Sequence, residues 1–409
     1  MAPTERKYDL YSDAFRGAAY ETFAQMREHD PVFRQPGLDE TPIWFVTRHE
    51  DAEAVLREDE RYVRDPRLAV PPEQLAAFGA RLPDAIAFVD SHMLNRDGDD
   101  HRRLRRLVSK AFTPRMIERL RPRIQELADE LVERVAADGE MDLVSAFAFP
   151  LPITVIAELL GVPPSDRDRF REWSDAMVRP SLAADELERF GALMEEFAGY
   201  LHSLFEERRR EPGDDLVSAL VAVEDGGDTL SEEELSSMVA LLIVAGHETT
   251  VSLIGNATLA LLTHPEQRAA LERDPALLPR AVEELIRYDG PVERTLTRWA
   301  SVDVELGGET IRRGEAVIVI LGAADRDPER FDAPDELEVT AERPRHLGFG
   351  RGSHFCLGAP LARLEAEIAL GTLFRRLPGL RLATPETELR WRPVPLFRSL
   401  SALPVAWDR

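Results

Sequence analysis

The chain runs to 409 residues, 44% of them hydrophobic, which is enough to bury a large core, and its formal net charge is −24 at pH 7. So acidic a surface repels phosphate, which excludes broad binding to nucleic acid or anionic lipid. The one cysteine, Cys356, excludes an intramolecular disulfide, and the opening MAPTERKYDLYSDAF lacks the apolar run and small-residue cleavage site of a secretory signal, so a cytoplasmic protein is expected.

In chain order, PVFRQPGLDETPIWFVT (31–47) reads as two short strands around a turn at Gly37. Next comes MLNRDGDDHRRLRRLVSKAFTP (93–114), a basic amphipathic stretch. His101 and Arg105 are one helical turn apart and project together, which suits gripping a carboxylate. Arg102, Arg103, Arg106 and Lys110 add a directed basic patch, although a solvated helix face accounts for the same residues.

The segment LSEEELSSMVALLIVAGHETTVSLIGNATLALLTHPEQ (230–267) reads as one long core helix. Ser231 and Glu234 form a capping box, and His264-Pro265 ends the run. Roughly thirty residues at 1.5 Å each span about 45 Å, the width of a domain. Its centre, Ala245-Gly246-His247-Glu248-Thr249-Thr250, places a carboxylate and hydroxyls where apolar side chains cost less. A back-bond from Thr249 to the preceding turn, with Gly246 beside it, is expected to open a local groove. His247 reads as a packing residue satisfied by a neighbour.

In AVEELIRYDGPV (281–292), Glu284 and Arg287 share a helix face and can pair among apolar neighbours, with Asp289-Gly290-Pro291 ending the helix. Arg298 follows in TLTRWA, and DVELGGETIRRGEAVIVILG (303–322) reads as a hairpin turning at Gly307 and Gly308. Then comes HLGFGRGSHFCLGAP (346–360), which holds Cys356 among Gly350, Gly352 and Gly358, immediately before the amphipathic helix APLARLEAEIALGTLFRRL. Glycines free the loop for unusual dihedrals, and a helix entrance stabilises a thiolate. A lone cysteine is often a small buried hydrophobe, but this setting suits an iron ligand. No repeat, low-complexity tract or Gly/Ser linker divides the chain, so one domain over residues 1–409 is expected.

Taken together these motifs resemble bacterial cytochromes P450, and especially actinobacterial enzymes of secondary metabolism. F-G-x-G-x-H-x-C-x-G is met by Phe349, Gly350, Gly352, His354, Cys356 and Gly358. E-x-x-R is met by Glu284 and Arg287, and A-G-x-E-T-T by Ala245 through Thr250. The resemblance spans essentially the whole chain. It implies a mainly α fold with small β-sheets, in which the long helix crosses a haem b, iron protoporphyrin IX. Cys356 would be the axial thiolate, which favours O–O cleavage, with Leu357 and Gly358 offering backbone N–H groups. His101, Arg105, Arg298 and His354 would hold the propionates. Ala245 and Gly246 would form the dioxygen groove, with Glu248 and Thr249 as proton-relaying acid and alcohol. Glu284 and Arg287 would act structurally.

By family position the substrate pocket would draw on about residues 83–94, a lid around 170–205, Leu241, Ala245, Val292 and Leu296 within 291–296, and Leu396 with Phe397. Glu293, Arg294 and Arg398 would be its polar contacts. A polyketide-like, macrolide-like or steroid-like substrate for hydroxylation or epoxidation is expected. No reductase segment is evident, so electrons would come from a separate ferredoxin or flavodoxin with its NAD(P)H-dependent reductase. That partner would dock on Arg102, Arg103, Arg106, Lys110, Arg351 and Arg363, and a monomer without membrane attachment is expected. A haem-thiolate sensor, or a haem enzyme such as a dehydratase or nitric oxide reductase, would share Cys356 but would not need Glu248 with Thr249. That intact pair favours the monooxygenase and disfavours a dedicated peroxide-using enzyme. Gly98, where proline is common in the family, and RSL at 398–400, where RGL is usual, depart from the pattern.

Overall fold

The computed structural model describes residues 6–38, 40–79, 91–178 and 184–409. Helices dominate, with three small sheets. The chain divides into two compact units: Met1–Pro71, Pro122–Phe149 and Thr249–Arg409 form one, and Pro72–Arg121 with Pro150–Glu248 the other. Their boundary falls inside a single helix, Glu232–Thr263, the long element expected from the sequence. Its capping box forms as read: the Glu234 N–H donates to Ser231 Oγ at 3.1 Å, and the Ser231 N–H to Glu234 Oε2 at 2.9 Å. The helix is long and apolar enough to cross a bilayer by composition, but 67% of its most apolar window is buried within the fold. It is helical throughout residues 245–250.

In the first unit a five-stranded sheet runs in the order Val32–Pro36, Pro42–Val46, Ala316–Val319, Arg298–Ala300, Tyr62–Val63. Both hairpins read from the sequence are present, Val32–Pro36 with Pro42–Val46 and Val304–Leu306 with Glu309–Ile311. The inner parallel pairing sets Phe45 beside Ile318 and Val46 beside Val319. Apolar residues of the long helix (Leu253, Ala257, Ala260, Leu261) pack with Val282, Leu285 and Ile286 of helix Leu278–Asp289 and with Ala366 and Leu370 of helix Ala359–Arg376. The long helix is also pinned by Asn256, whose amide donates to the carbonyls of Arg398 at 2.8 Å and Asp289 at 3.2 Å.

The second unit is helical. Helix Gly98–Ala111 buries Leu104, Leu107 and Val108, while Trp173 packs its ring against Phe197 and Tyr200 at 5.3 and 5.0 Å. Gly98 enters its helix at φ +59°, a left-handed value that a proline ring forbids, which explains the departure noted at this position.

Arg287 is the most demanding group in the first unit. Its guanidinium is 1% exposed, and every N–H is used. Two go to the Glu284 carboxylate at 2.7 and 2.8 Å, and the others to the carbonyls of Asp325 (3.1 Å), Pro334 (2.7 Å) and Glu336 (3.0 Å). Removing one side of a buried pair leaves an uncompensated charge and costs about 3–5 kcal/mol. Arg287→Ala should therefore fold poorly. Arg287→Lys, which offers three donors in place of five, should fold with a stability loss of at least about 2 kcal/mol in urea denaturation. An unchanged midpoint for the lysine variant would contradict this account.

Candidate active site

The cysteine loop is hung from Arg287 by a chain of hydrogen bonds. Asp325, whose carbonyl takes an Arg287 N–H, accepts the Leu347 N–H on its carboxylate at 2.6 Å. The Leu347 carbonyl accepts the Gly350 N–H at 2.7 Å, and the Phe349 carbonyl accepts the Cys356 N–H at 2.9 Å. Gly350 and Gly352 take φ +72° and +70°, as their loop positions demanded. A Cβ on Gly352 would stand 2.6 Å from the Leu56 carbonyl oxygen, so the loop lies directly against helix His49–Arg57. Cys356 itself is exposed, and helix Ala359–Arg376 begins three residues later with Pro360 in its first turn. A Cβ on Gly358 would reach 3.9 Å from the sulfur.

Asp59 ties Arg298, one of the expected propionate-binding residues, to the cysteine loop in the same unit. Arg298, 3% exposed, donates to the Tyr62 carbonyl at 2.8 Å and to Asp59 Oδ1 at 3.3 Å, while Asp59 Oδ2 accepts the Ser353 N–H at 3.1 Å, next to His354. Below the loop, Glu283 receives a bidentate grip from Arg363 at 2.6 and 3.0 Å and faces His346 Nε2 at 3.3 Å. Burial pushes the Glu283 carboxyl up, but the hydrogen bonds and charges of His346 and Arg363 outweigh it and hold it at about 2. The Arg363 guanidinium lies 4.4 Å over the Phe349 ring. Asp325 goes the other way: burial raises it from 3.8 to about 6, against the pull of His346 and the Leu347 N–H.

The second unit carries His101, Arg105, Leu241, Ala245, Gly246 and Glu248, and Thr249 is the first residue of the long helix that falls in the first unit. On helix Gly98–Ala111, His101 is buried and Arg105 half-buried one turn on. Along the long helix Leu241, Ala245 and Thr249 recur every four residues, so they line one stripe, and all three are accessible. Ile243, His247, Glu248 and Thr250 are buried. Gly246 has a packing reason: a Cβ there would stand 3.2 Å from Ile156 Cδ1. His247 behaves as read. Its Nδ1 sits 2.9 Å from the Ile243 carbonyl, which can only accept, so Nδ1 carries the proton and Nε2 accepts from Ser174 Oγ at 3.3 Å. The Glu248 carboxylate lies 3.8 Å from Nε2.

Of the expected pocket residues, Val292 and Phe397 pair as an antiparallel bridge, and the Leu396 carbonyl accepts the Glu293 N–H at 3.0 Å. Leu296 is 41% exposed. The part of the 83–94 stretch up to residue 90, and residues 179–183 of the lid, lie outside the described residues. The three polar pocket contacts need correction. Glu293 and Arg294 pair with each other while buried, and Arg294 also donates to the Leu10 carbonyl at 3.2 Å. Arg398 bonds Asp289 at 2.6 Å and stacks 3.7 Å over Trp391. Each of the three is therefore engaged with other parts of the fold.

The basic patch is also not a set of free cations. Arg351 is 9% exposed, pairs with Glu53 at 3.4 Å and donates to the Arg345 carbonyl at 3.1 Å. Arg363 is held by Glu283, and Arg102 by Asp99 at 2.5 Å on its own helix. Arg103, Arg106 and Lys110 each face a carboxylate of residues 225–234.

Comparison with known proteins bears on this arrangement. The family described as cytochrome P450 matches residues 177–388. Cytochrome P450 monooxygenase PikC of Streptomyces venezuelae is 45% identical over 398 residues, covering 97% of this chain and 92% of the relative. Vitamin D(3) 25-hydroxylase of Pseudonocardia autotrophica is 44% identical over 400 residues, covering 98% and 96%. The solved structure of cytochrome P450 PksS of the bacillaene polyketide synthase from Bacillus subtilis 168 superposes with a TM-score of 0.91 at 39% identity, covering 98% and 100%. The chain belongs to the cytochrome P450 family. It is an oxidoreductase of the monooxygenase class acting on hydrophobic small molecules, and its family implies a haem cofactor.

The residues present fit that group. Among the described residues no cluster of three or more His, Cys, Asp or Glu could hold a bare ion. An iron bound by the accessible Cys356 must bring its remaining ligands with it, as a porphyrin does.

Sequence reasoning missed Asp59, Glu283, His346, Asp325 and Glu365, because each acts through partners distant in sequence. Glu365, in helix Ala359–Arg376, is fully buried, and among the described residues no donor with good geometry reaches either carboxyl oxygen. Burial raises it from 4.5 to about 8, with the Thr250 hydroxyl pulling weakly the other way. A folded-state value above the unfolded one means that the stability contribution is complete below about pH 4.5 and is lost as pH climbs to about 8. Glu365→Gln cannot ionise. Its melting temperature should rise relative to wild type from about pH 5 to about pH 8 and then level off. A difference that does not change with pH would show that Glu365 titrates normally.

Proposed function

We propose that this chain is a cytoplasmic, monomeric, haem b-dependent monooxygenase, working as one domain, which hydroxylates or epoxidises a polyketide-like, macrolide-like or steroid-like molecule. Electrons come from a separate ferredoxin or flavodoxin and its reductase. The observation that carries the reading is the loop that presents the chain's one cysteine, Cys356, exposed on a backbone fixed by Gly350, Gly352 and the Phe349 carbonyl. When bound, haem supplies dioxygen activation, with thiolate electron density favouring O–O cleavage.

The chain's own groups do the rest. Cys356 would hold the haem iron through its sulfur, and a Cβ on Gly358 would come to 3.9 Å from that atom. His101, Arg105, Arg298 and His354 provide positive or neutral donors for two propionates. Ala245 and Thr249, on the accessible stripe, leave room beside the helix, and Thr249 moves a proton supplied from buried Glu248. The apolar side chains of Leu241, Val292, Leu296, Leu396 and Phe397 exclude water and orient a hydrophobic substrate. Two of the three relatives named above support the substrate class, one by its name as a vitamin D(3) 25-hydroxylase and the other by its description as the cytochrome P450 of a polyketide synthase.

Thr249→Ala should keep haem and substrate binding yet lower product per NAD(P)H at least about tenfold, with the electrons recovered as hydrogen peroxide. Unchanged coupling would remove Thr249 from the proton route. For the substrate, the purified ferric protein should be titrated with macrolactones, steroids, terpenoids and fatty acids. A macrolactone or a steroid should shift the spectrum from low to high spin, and a response to fatty acids alone would overturn the assignment.

A further inference from the structure

Helix Gly98–Ala111 is covered on one side by an acidic turn of the same unit. Between residues 224 and 234 the chain has six carboxylates, Glu224, Asp225, Asp228, Glu232, Glu233 and Glu234, and no cation. Asp225 and Asp228 pair across Gly226 and Gly227, whose φ values of +62° and +88° define a tight type I′ turn. The backbone bonds are 3.0 Å from the Asp225 N–H and 3.2 Å from the Asp228 N–H.

This turn delivers its carboxylates to three cations of the helix. Asp225 Oδ2 bonds Arg106 Nε, and Asp225 Oδ1 accepts from Lys110 Nζ at 2.7 Å. Lys110 also reaches the Glu224 carbonyl at 3.1 Å. Arg103 is shared between Glu234 at 2.5 Å and Asp228 at 3.6 Å. The two hydrogen bonds, from Lys110 and then Arg106, hold the Asp225 carboxyl below its ordinary value. The tip of the turn is open: a Cβ on Gly226 or Gly227 would meet nothing within 4 Å.

These contacts are displaceable. Arg106 and Lys110 keep 53% and 47% of their side-chain exposure, and exposed ion pairs are individually weak and screened by salt. An incoming anionic surface must compete with the turn for the same cations.

We propose that the Asp225–Asp228 turn is a built-in stand-in for the acidic electron-donor protein, which docks on Arg103, Arg106 and Lys110 by displacing it. The turn shows what this face accepts, namely carboxylates presented on a protruding loop, and by occupying the face it sets how acidic a partner must be to bind. The proposal rests on the separate-donor reading above and adds to it the competing segment.

The test measures binding of a small acidic [2Fe–2S] ferredoxin to the haem-loaded full chain by calorimetry at low salt. Asp225→Asn should tighten binding about two- to fivefold, the range of one exposed pair. Arg106→Gln should weaken it, and adding Asp225→Asn to an Arg106→Gln/Lys110→Gln pair should change nothing further, because Asp225 acts only through the two cations it covers. Glu388→Gln, at an exposed site elsewhere, controls for the loss of one negative charge, and unchanged melting temperatures control for folding. If Asp225→Asn binds no tighter than Glu388→Gln while Arg106→Gln binds more weakly, the face docks the donor but the turn does not compete, and the proposal fails. If none of the variants differs from wild type, both the proposal and the docking face fall.

Discussion

A guanidinium has five N–H donors, and each one buried without a partner costs free energy. At Arg287 all five are met, two by Glu284 and three by carbonyls between residues 325 and 336. That one cation therefore fixes where the chain must pass before it reaches the cysteine loop. Glu284 is shared further: its Oε1 accepts the Glu338 N–H at 3.1 Å, so the carboxylate also holds the far end of the same segment. From the Asp325 carboxylate the order passes to the Leu347 N–H, and then through the backbone bonds of Gly350 to Leu347 and of Cys356 to Phe349. A loop rich in glycine would otherwise sample many conformations, and its precision is borrowed from a buried ion pair some seventy residues earlier in the sequence.

Local signals made much of this legible. The capping box at Ser231 and Glu234, the strands flanking Gly37, the turn at Gly307-Gly308, and the i,i+3 spacing of Glu284 and Arg287 each depend on residues within a few positions of one another. The cysteine loop was legible because Gly350 and Gly352 need positive φ and glycine supplies it. What was not legible depends on which distant groups meet. Nothing near Arg398 signals that its charge will be spent on Asp289, or that Glu293 and Arg294 will neutralise each other in the interior. Arg363 looked like a surface cation one turn into a helix, and only the fold reveals Glu283 beneath it. Gly246 was legible as a residue beside a local groove, but not that its lack of a side chain makes room for Ile156.

The pattern of pairing has a common cause. With formal charge of −24, carboxylates outnumber cations, so an arginine or lysine almost anywhere on the surface has a carboxylate within reach. Composition alone identifies a basic helix, but whether its charge is available to a partner depends on the neighbours the fold provides. Exposed pairs such as Arg102 with Asp99 contribute little to stability. Their effect is on the field outside the protein, which they flatten.

The acids near Cys356 illustrate the opposite regime, where burial decides the charge. Glu283 stays ionised because Arg363 and His346 face it, and the cation over Phe349 is thereby balanced. Glu365 has no such cation, so burial keeps it protonated at neutral pH. This difference matters for a thiolate. Cys356 gains from the partial positive charge at the start of helix Ala359–Arg376, and an ionised carboxylate two turns into that helix would oppose the gain in a medium of low dielectric. A neutral Glu365 adds no negative charge to the stretch from Cys356 to Glu365, while the ionised Glu283 is cancelled by its own partners. The fold thus sets the charge of each carboxyl group by what it places opposite, and the electrostatic surroundings of the cysteine follow from those placements.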